Sequence, residues 1–305
     1  MDKQLEQCPV ILSKEYDQCY FLVHRAYSHF FGNMYDNSNP FGEKNFSKIL
    51  DYLFSSYIKK EKYKNLLFNI FEILLNCKDN NSFIENSIRA YTSENCFCYL
   101  FNKSMRNFEP GLMLIAYYMG PLLFGLNKYV KDNPSFAFSK DMTLYRKIKC
   151  PKIDFYLYEL NLNHIICFPS ITSTSSQPKN FEPSKLANNI NKINEKNMEL
   201  IKIKLIFNYK HDDENKSPGI IVEDKKGHDG TYLSRFPKEK EVILFPFTFV
   251  KIINIESAIE NGNNIKVIYF DIINRKNFLE YTLRDNFKAR FLFRTLEEDC
   301  FDNSY

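Results

Sequence analysis

The sequence predicts an α+β fold, with helices first and an antiparallel or mixed sheet after them. Three observations carry this. Apolar residues recur every three or four positions through the first half, and the period changes to two beyond about residue 142. Strand–helix–strand alternation is missing, and so is any Gly-x-Gly-x-x-Gly turn, which sets aside a dinucleotide held in the Rossmann manner.

The elements follow in order. Phe46 to Tyr57 and Asn65 to Cys77 read as helices, the second burying Leu66, Leu67, Ile70, Phe71 and Leu74 along one stripe. Ser82 is expected to cap a helix that buries Phe83, Ile84 and Ile88. Thr92 is expected to cap another, with Glu94 in its first turn and Phe97, Leu100, Phe101 and Met105 on one face. The apolar run Gly111 to Leu126 is shorter than the roughly 18–20 residues a bilayer span needs. Its Gly120-Pro121 pair predicts two buried helices with a break between them.

Strand signals then begin: Met142 to Lys149, Ile165 to Phe168, and Leu200 to Phe207, where apolar residues alternate with Lys202 and Lys204. Glu241 to Phe249, Val250 to Ile255, Ile265 to Ile273 and Phe278 to Leu283 continue the series. The polar stretches Ser176 to Asn197 and Tyr209 to Gly230 read as loops or short helices.

Composition narrows the function classes. A chain of 305 residues with 44% hydrophobic and 16% aromatic content has ample material for a core. The net charge of +4, without a Lys/Arg run, does not describe a nucleic-acid binder. The eight cysteines are scattered, show no Cys-x-x-Cys spacing and do not cluster with the five histidines, so neither a disulfide framework nor a structural metal is expected. Met1 to Tyr20 lacks a basic lead followed by an apolar block, so no secretory leader and no membrane partner are expected. The expected location is cytoplasmic, with delivery into another cell left open.

The chemistry concentrates around Glu239 and Glu241, which lead into the apolar run Val242-Ile243-Leu244-Phe245. In an extended chain these side chains would share a face, roughly 6–7 Å apart. Carboxylates so paired serve glycosidic-bond cleavage, one stabilising the developing sugar cation and the other handling the nucleophile. Lys-Glu-Lys-Glu is also ordinary surface composition. Two upstream motifs stand in order before it: Leu144-Tyr145-Arg146 on the first strand and Ser173-Thr174-Ser175 after the second. Alone, the arginine reads equally as an exposed strand residue, and Ser-Thr-Ser as a polar strand end.

Taken together, this ordered set resembles the arginine–serine–glutamate class of mono-ADP-ribosyltransferases. That family carries an arginine on an early strand, commonly as Leu-Tyr-Arg-Gly, then an aromatic-x-Ser-Thr-Ser strand, then Glu-x-Glu. Ile88 to Glu94 and Leu100 to Arg106 look like the helical lobe preceding the family's sheet, and Phe236 to Ile252 is similar to its catalytic strand. The resemblance covers about residues 80 to 290. It implies two packed mixed or antiparallel sheets with an N-terminal helical lobe, as a domain over 81–305 behind a helical region, 1–80, of unknown role.

The resemblance also implies NAD as co-substrate, no metal, and a target protein carrying an acceptor arginine. Glu241 would stabilise the ribose cation and hydrogen-bond a ribose hydroxyl, and Glu239 would face the acceptor, where a carboxylate can hold a guanidinium and take its proton. Arg146 would pair with an NAD phosphate. Ser173 would fix the ribose and Glu241, with Thr174 and Ser175 supporting it on the cofactor side. Phe181 would stack on nicotinamide or anchor its loop, and Tyr232 and Phe236 fall in the acceptor-recognition loop.

Lys147 stands where the family often has a glycine whose backbone approaches the nicotinamide amide, and a position demanding φ > 0 would strain it. The histidine–tyrosine–glutamate pattern of polymer-forming relatives is missing, so a single transfer is expected. Two other readings stay open: net NAD hydrolysis, and a catalytically silent binding module of the same fold.

Overall fold

The computed structural model describes residues 10–11, 64–93, 98, 102, 110–168, 170–178, 200–212, 217–260 and 262–273. The fold is α+β. Among the described residues three helices, α1 (Lys64–Leu75), α2 (Asn80–Thr92) and α3 (Pro110–Asp132), precede most of the sheet, and a fourth, α4 (Lys152–Leu160), follows its second strand. The strands are β1 (Val10–Ile11), β2 (Met142–Pro151), β3 (Ile165–Phe168), β4 (Thr172–Ser175), β5 (Leu200–Tyr209), β6 (Gly219–Ile221), β7 (Glu241–Leu244), β8 (Thr248–Glu260) and β9 (Asn263–Ile272).

Three predicted helix details are corrected. The cap of α2 is Asp79, whose carboxylate accepts from the Ser82 N–H at 2.8 Å, while the Ser82 hydroxyl accepts from the Asp79 N–H at 3.1 Å. Ser82 is thus the third residue of a capping box instead of the cap, since its hydroxyl reaches back as well as Glu would. The predicted break at Pro121 does not occur, and α3 runs through it for 23 residues. Proline inside a helix costs about 3 kcal/mol. Burial of Tyr118, Met119, Leu122, Leu126 and Tyr129 outweighs that cost. The Tyr118 ring meets Phe83 edge-on at 5.6 Å, and its hydroxyl donates to Ser87 at 2.6 Å, so α3 is fastened to α2. The Thr92 hydroxyl, expected to open the next helix, lies at the end of α2 and accepts from the Arg235 N–H at 3.1 Å.

Among the described residues the strands are ordered β1-β3-β8-β9-β5-β2-β4-β7-β6. All neighbours are antiparallel except β5 and β9, so the sheet is mixed. β2 pairs with β5 over its whole length, from Met142↔Tyr209 to Pro151↔Leu200, yet with β4 only at Tyr145↔Ser175. That single junction divides the hydrogen-bonded order into two parts, with β4, β7 and β6 beyond it. The parts share one apolar core, in which Val242 and Leu244 of β7 join Leu144, Phe207, Val250 and Phe270 of the larger part. Where two packed sheets were expected, the described strands form one continuous mixed sheet whose two parts, joined at that seam, share this core.

The strand boundaries differ in places. The run from Glu241 divides at Phe245-Pro246-Phe247, where Phe247 has φ 62 and Pro246 can donate nothing to a ladder. The polar stretch after Tyr209 contains β6, whose Gly219 lies so close to the Ile243 carbonyl of β7 that any Cβ would overlap it. α4 was not anticipated; it buries Phe155 and Tyr158 at helical spacing in the common core. Val10–Ile11 adds a short strand to β3 from the region expected to be helical. The predicted helix Phe46 to Tyr57, the strand Phe278 to Leu283, and Phe97, Leu100, Phe101 and Met105 lie outside the described residues.

Candidate active site

The site lies at the seam. β4 and β7 pair with Ser173 opposite Ile243 and Ser175 opposite Glu241. Ser173 and Glu241 are therefore diagonal neighbours on one face, about 7–8 Å apart along the backbone and within reach of a long side chain. Glutamate closes the gap: the Ser173 hydroxyl donates to Glu241 Oε1 at 2.6 Å. Across the seam, Arg146 of β2 donates from a guanidinium nitrogen to the Ser173 carbonyl at 2.6 Å. Three residues separated by up to 95 positions in the chain thus meet through direct hydrogen bonds.

Glu241 is only 5% exposed, and a carboxylate so placed requires partners. Its second oxygen, Oε2, accepts from the Ser234 hydroxyl at 2.8 Å. Ser234 escaped the sequence reading, because a serine seven residues upstream in an irregular segment belongs to no periodic pattern.

Thr174 and Ser175 act as supports. Both are fully buried, with hydroxyls donating to the carbonyls of Val242 and Glu239, each at 2.7 Å. Their side chains brace β7 and the turn before it. Lys147 projects to the opposite face from Arg146 and pairs with Glu260 at 3.1 Å. It stands in extended β2, outside the set of residues with positive φ, so the strain expected of a non-glycine there does not arise. Phe181 lies outside the described residues.

Glu239 requires a correction. It does not share an extended strand with Glu241. Residues Pro237–Glu239 form a 3₁₀ turn, and Lys240 adopts a left-handed conformation with φ 55 and ψ 48. The period-two argument fails here because Pro237 presets a turn that the charged composition does not reveal. Lys240 is held in place by Glu223 at 2.8 Å and by Asp224, and the hydrogen bonds to Asp224 first and Glu223 second raise its affinity for its proton. Glu239 thus stands beside β7 on a braced turn, half-buried.

The helical lobe closes the site from the other side. The Tyr91 hydroxyl at the end of α2 donates to the Ile171 carbonyl at 2.9 Å and accepts from Asn102 at 3.0 Å. Burial pushes this hydroxyl from its ordinary 10.0 up to about 12, with Arg146 pulling down and Glu241 pushing up, which places it within electrostatic reach of both.

Nearly two turns earlier, buried Glu85 accepts from Tyr129 at 3.1 Å and from the His228 N–H at 3.0 Å, and lies 2.6 Å from His228 Nδ1. Arg89 pairs with Asp229 at 2.7 Å and donates to the Tyr232 carbonyl at 3.2 Å. This network fastens the 223–235 segment, and the turn that follows it, to α2. Tyr232 on that segment and Phe236 just beyond it are 48% and 38% exposed, so they are presented rather than packed.

Among the described residues no group of three His, Cys, Asp or Glu is arranged to hold a metal, and no helix is long and apolar enough to cross a membrane.

No protein-family model matches the chain, and no curated protein matches it. Among solved structures it is similar to the ADP-ribosyltransferase HopU1 of Pseudomonas syringae pv. tomato DC3000, with 14% identity, TM-score 0.41, and 88% of this chain and 100% of that one covered. It is similar to Plx2a, an ADP-ribosyltransferase toxin from Paenibacillus larvae, with 12% identity, TM-score 0.40, and 77% and 98% covered. It is also similar to Vis toxin, an ADP-ribosyltransferase from Vibrio splendidus, with 16% identity, TM-score 0.37, and 76% and 84% covered. Likenesses of this size leave the chemistry to be argued from the side chains.

Proposed function

We propose that this protein is a mono-ADP-ribosyltransferase that moves ADP-ribose from NAD to arginine side chains of a target protein. The observation that carries the reading is the convergence of Arg146, Ser173 and Glu241 from three strands into one hydrogen-bonded set. In the reaction the bond between the nicotinamide nitrogen and ribose C1′ breaks, and its electron pair leaves with nicotinamide. The ribose acquires positive charge, which the buried Glu241 carboxylate stabilises in surroundings where charge acts strongly. A guanidinium nitrogen then bonds to C1′ and gives its proton to Glu239. Arg146 donates to the Ser173 carbonyl, and its planar guanidinium fork suits the geometry of an NAD phosphate.

Purified protein incubated with labelled NAD and an arginine peptide tests this. Label in the peptide, lost in Glu241→Gln, is the expected result. Binding of NAD with no label transferred overturns it.

A second reading is net hydrolysis, with water as acceptor. It is favoured by the place of Glu239 on a turn instead of on the face of β7, since water needs no bidentate carboxylate to hold it. Release of free ADP-ribose at equal rates with and without the peptide would select it.

A further inference from the structure

Both oxygens of Glu241 are engaged, and their donors come from different parts of the chain. Ser173 lies on β4, whereas Ser234 lies on the segment that leads into the Pro237–Glu239 turn. Ser234 is 2% exposed. Its oxygen also accepts from the Phe236 N–H at 3.0 Å, and the Arg235 N–H between them donates to Thr92 at 3.1 Å. A hydroxyl has one proton to give. With Phe236 donating to the oxygen, that proton goes to Glu241. The bond from Phe236 is a local serine turn, which many loops use. The bond to a buried carboxylate is no part of such a turn and calls for its own explanation.

We propose that Ser234 is a positioning residue for Glu241: with Ser173 it fixes the plane of the carboxylate, and through Phe236 it ties that plane to the turn bearing Glu239. A carboxylate held at one oxygen can still swing about its terminal torsion, which is broad and shallow. Held at both oxygens by two elements, it cannot swing without breaking a charge-assisted bond. Orientation of the charge beside the ribose and placement of the acceptor-side turn thereby depend on one oxygen atom. The kinetic part of this inference rests on the transferase reading; the geometric part does not.

The test uses the full chain and two variants, Ser234→Ala and Ser234→Cys, the second close in size but a weak donor. Titration of the Glu241 carboxylate by ¹³C NMR, its signal assigned by its loss in Glu241→Gln, reads the contact without any turnover. A carboxylate that loses a donor takes up its proton at higher pH, so the titration moves upward in both variants. NAD cleavage should fall about tenfold to a hundredfold in kcat, with KM for NAD within about threefold.

Should the alanine variant fail to fold, the cysteine variant decides alone. A titration unchanged in a folded variant overturns the proposal, whatever the activity. A titration that moves in a protein that never cleaves NAD would uphold the positioning and sink the transferase reading instead. A shifted titration with wild-type kcat would overturn the claim that this positioning serves the reaction.

Discussion

Ser173 and Glu241 sit diagonally across the β4–β7 ladder, and the serine hydroxyl gives its hydrogen bond to the carboxylate at 2.6 Å. A bond to an ionised group is worth about 1.5–3 kcal/mol. Removing it in Ser173→Ala should lower kcat for NAD cleavage by roughly tenfold to a hundredfold. The melting temperature should also fall by a few degrees, because the buried Glu241 carboxylate loses one of its donors while the backbone ladder bonds of Ser173 remain. Steady-state kinetics and a thermal melt on the same preparation check both halves.

Glu239 and Glu241 should separate by reaction. Glu241→Gln removes the charge beside the ribose, and both transfer and hydrolysis should fall by about a hundredfold or more. Glu239→Gln should suppress transfer to arginine while leaving hydrolysis close to wild type. Parallel assays of labelled peptide and free ADP-ribose distinguish the two. Equal losses in both assays for Glu239→Gln would remove its acceptor-side role.

Gly227 faces the Glu85–Arg89 pair so closely that an added Cβ would overlap the carboxylate and the guanidinium alike. Gly227→Ala should therefore lower stability by about 1–3 kcal/mol, the usual cost of overpacking. Because the network holds the 223–235 segment to α2, amide exchange should rise there before it rises in β5. Gly230→Ala, in open space but with φ 77, gives the contrast of backbone strain without collision.

Tyr91 makes the alkaline limit of stability testable. Its hydroxyl is raised from 10.0 to about 12 chiefly by burial, so the folded state keeps its proton where the unfolded chain has lost it. The sign follows from linkage: this contribution is complete below about pH 10 and is lost as pH rises toward 12. Tyr118, whose hydroxyl burial also raises, acts in the same direction. Denaturant midpoints between pH 9 and 12 should fall for the wild type and fall less steeply for Tyr91→Phe.

Much of the fold is legible in the chain because its signals are local. β2, β3, β5 and β9 lie close to where alternation and β-branched content place them. Helical spacing likewise finds α1 and α2 to within a few residues. α4 was hidden because Lys152 to Leu160 mixes charged and aromatic residues without a clean stripe, and only burial against the core picks its face. Pro121 misled for the opposite reason: its local rule is sound, but packing of α3 on α2 is stronger.

Local chemistry, read along the chain, set out the helical-then-sheet architecture and an ordered Arg146, Ser173, Glu241 set, because residue type and spacing are sequence properties. Contact between those residues is a matter of pairing over long separations. The diagonal register of β4 on β7 brings Ser173 to Glu241, and the one-pair seam at Tyr145↔Ser175 brings Arg146 to Ser173. The place of Ser234, the turn that lifts Glu239 off the strand, and the polar clasp of α2 on the 223–235 segment were settled only in three dimensions. The first and the last depend on burial that leaves a polar atom no partner but the one the fold supplies, and the turn on Pro237 and the left-handed Lys240.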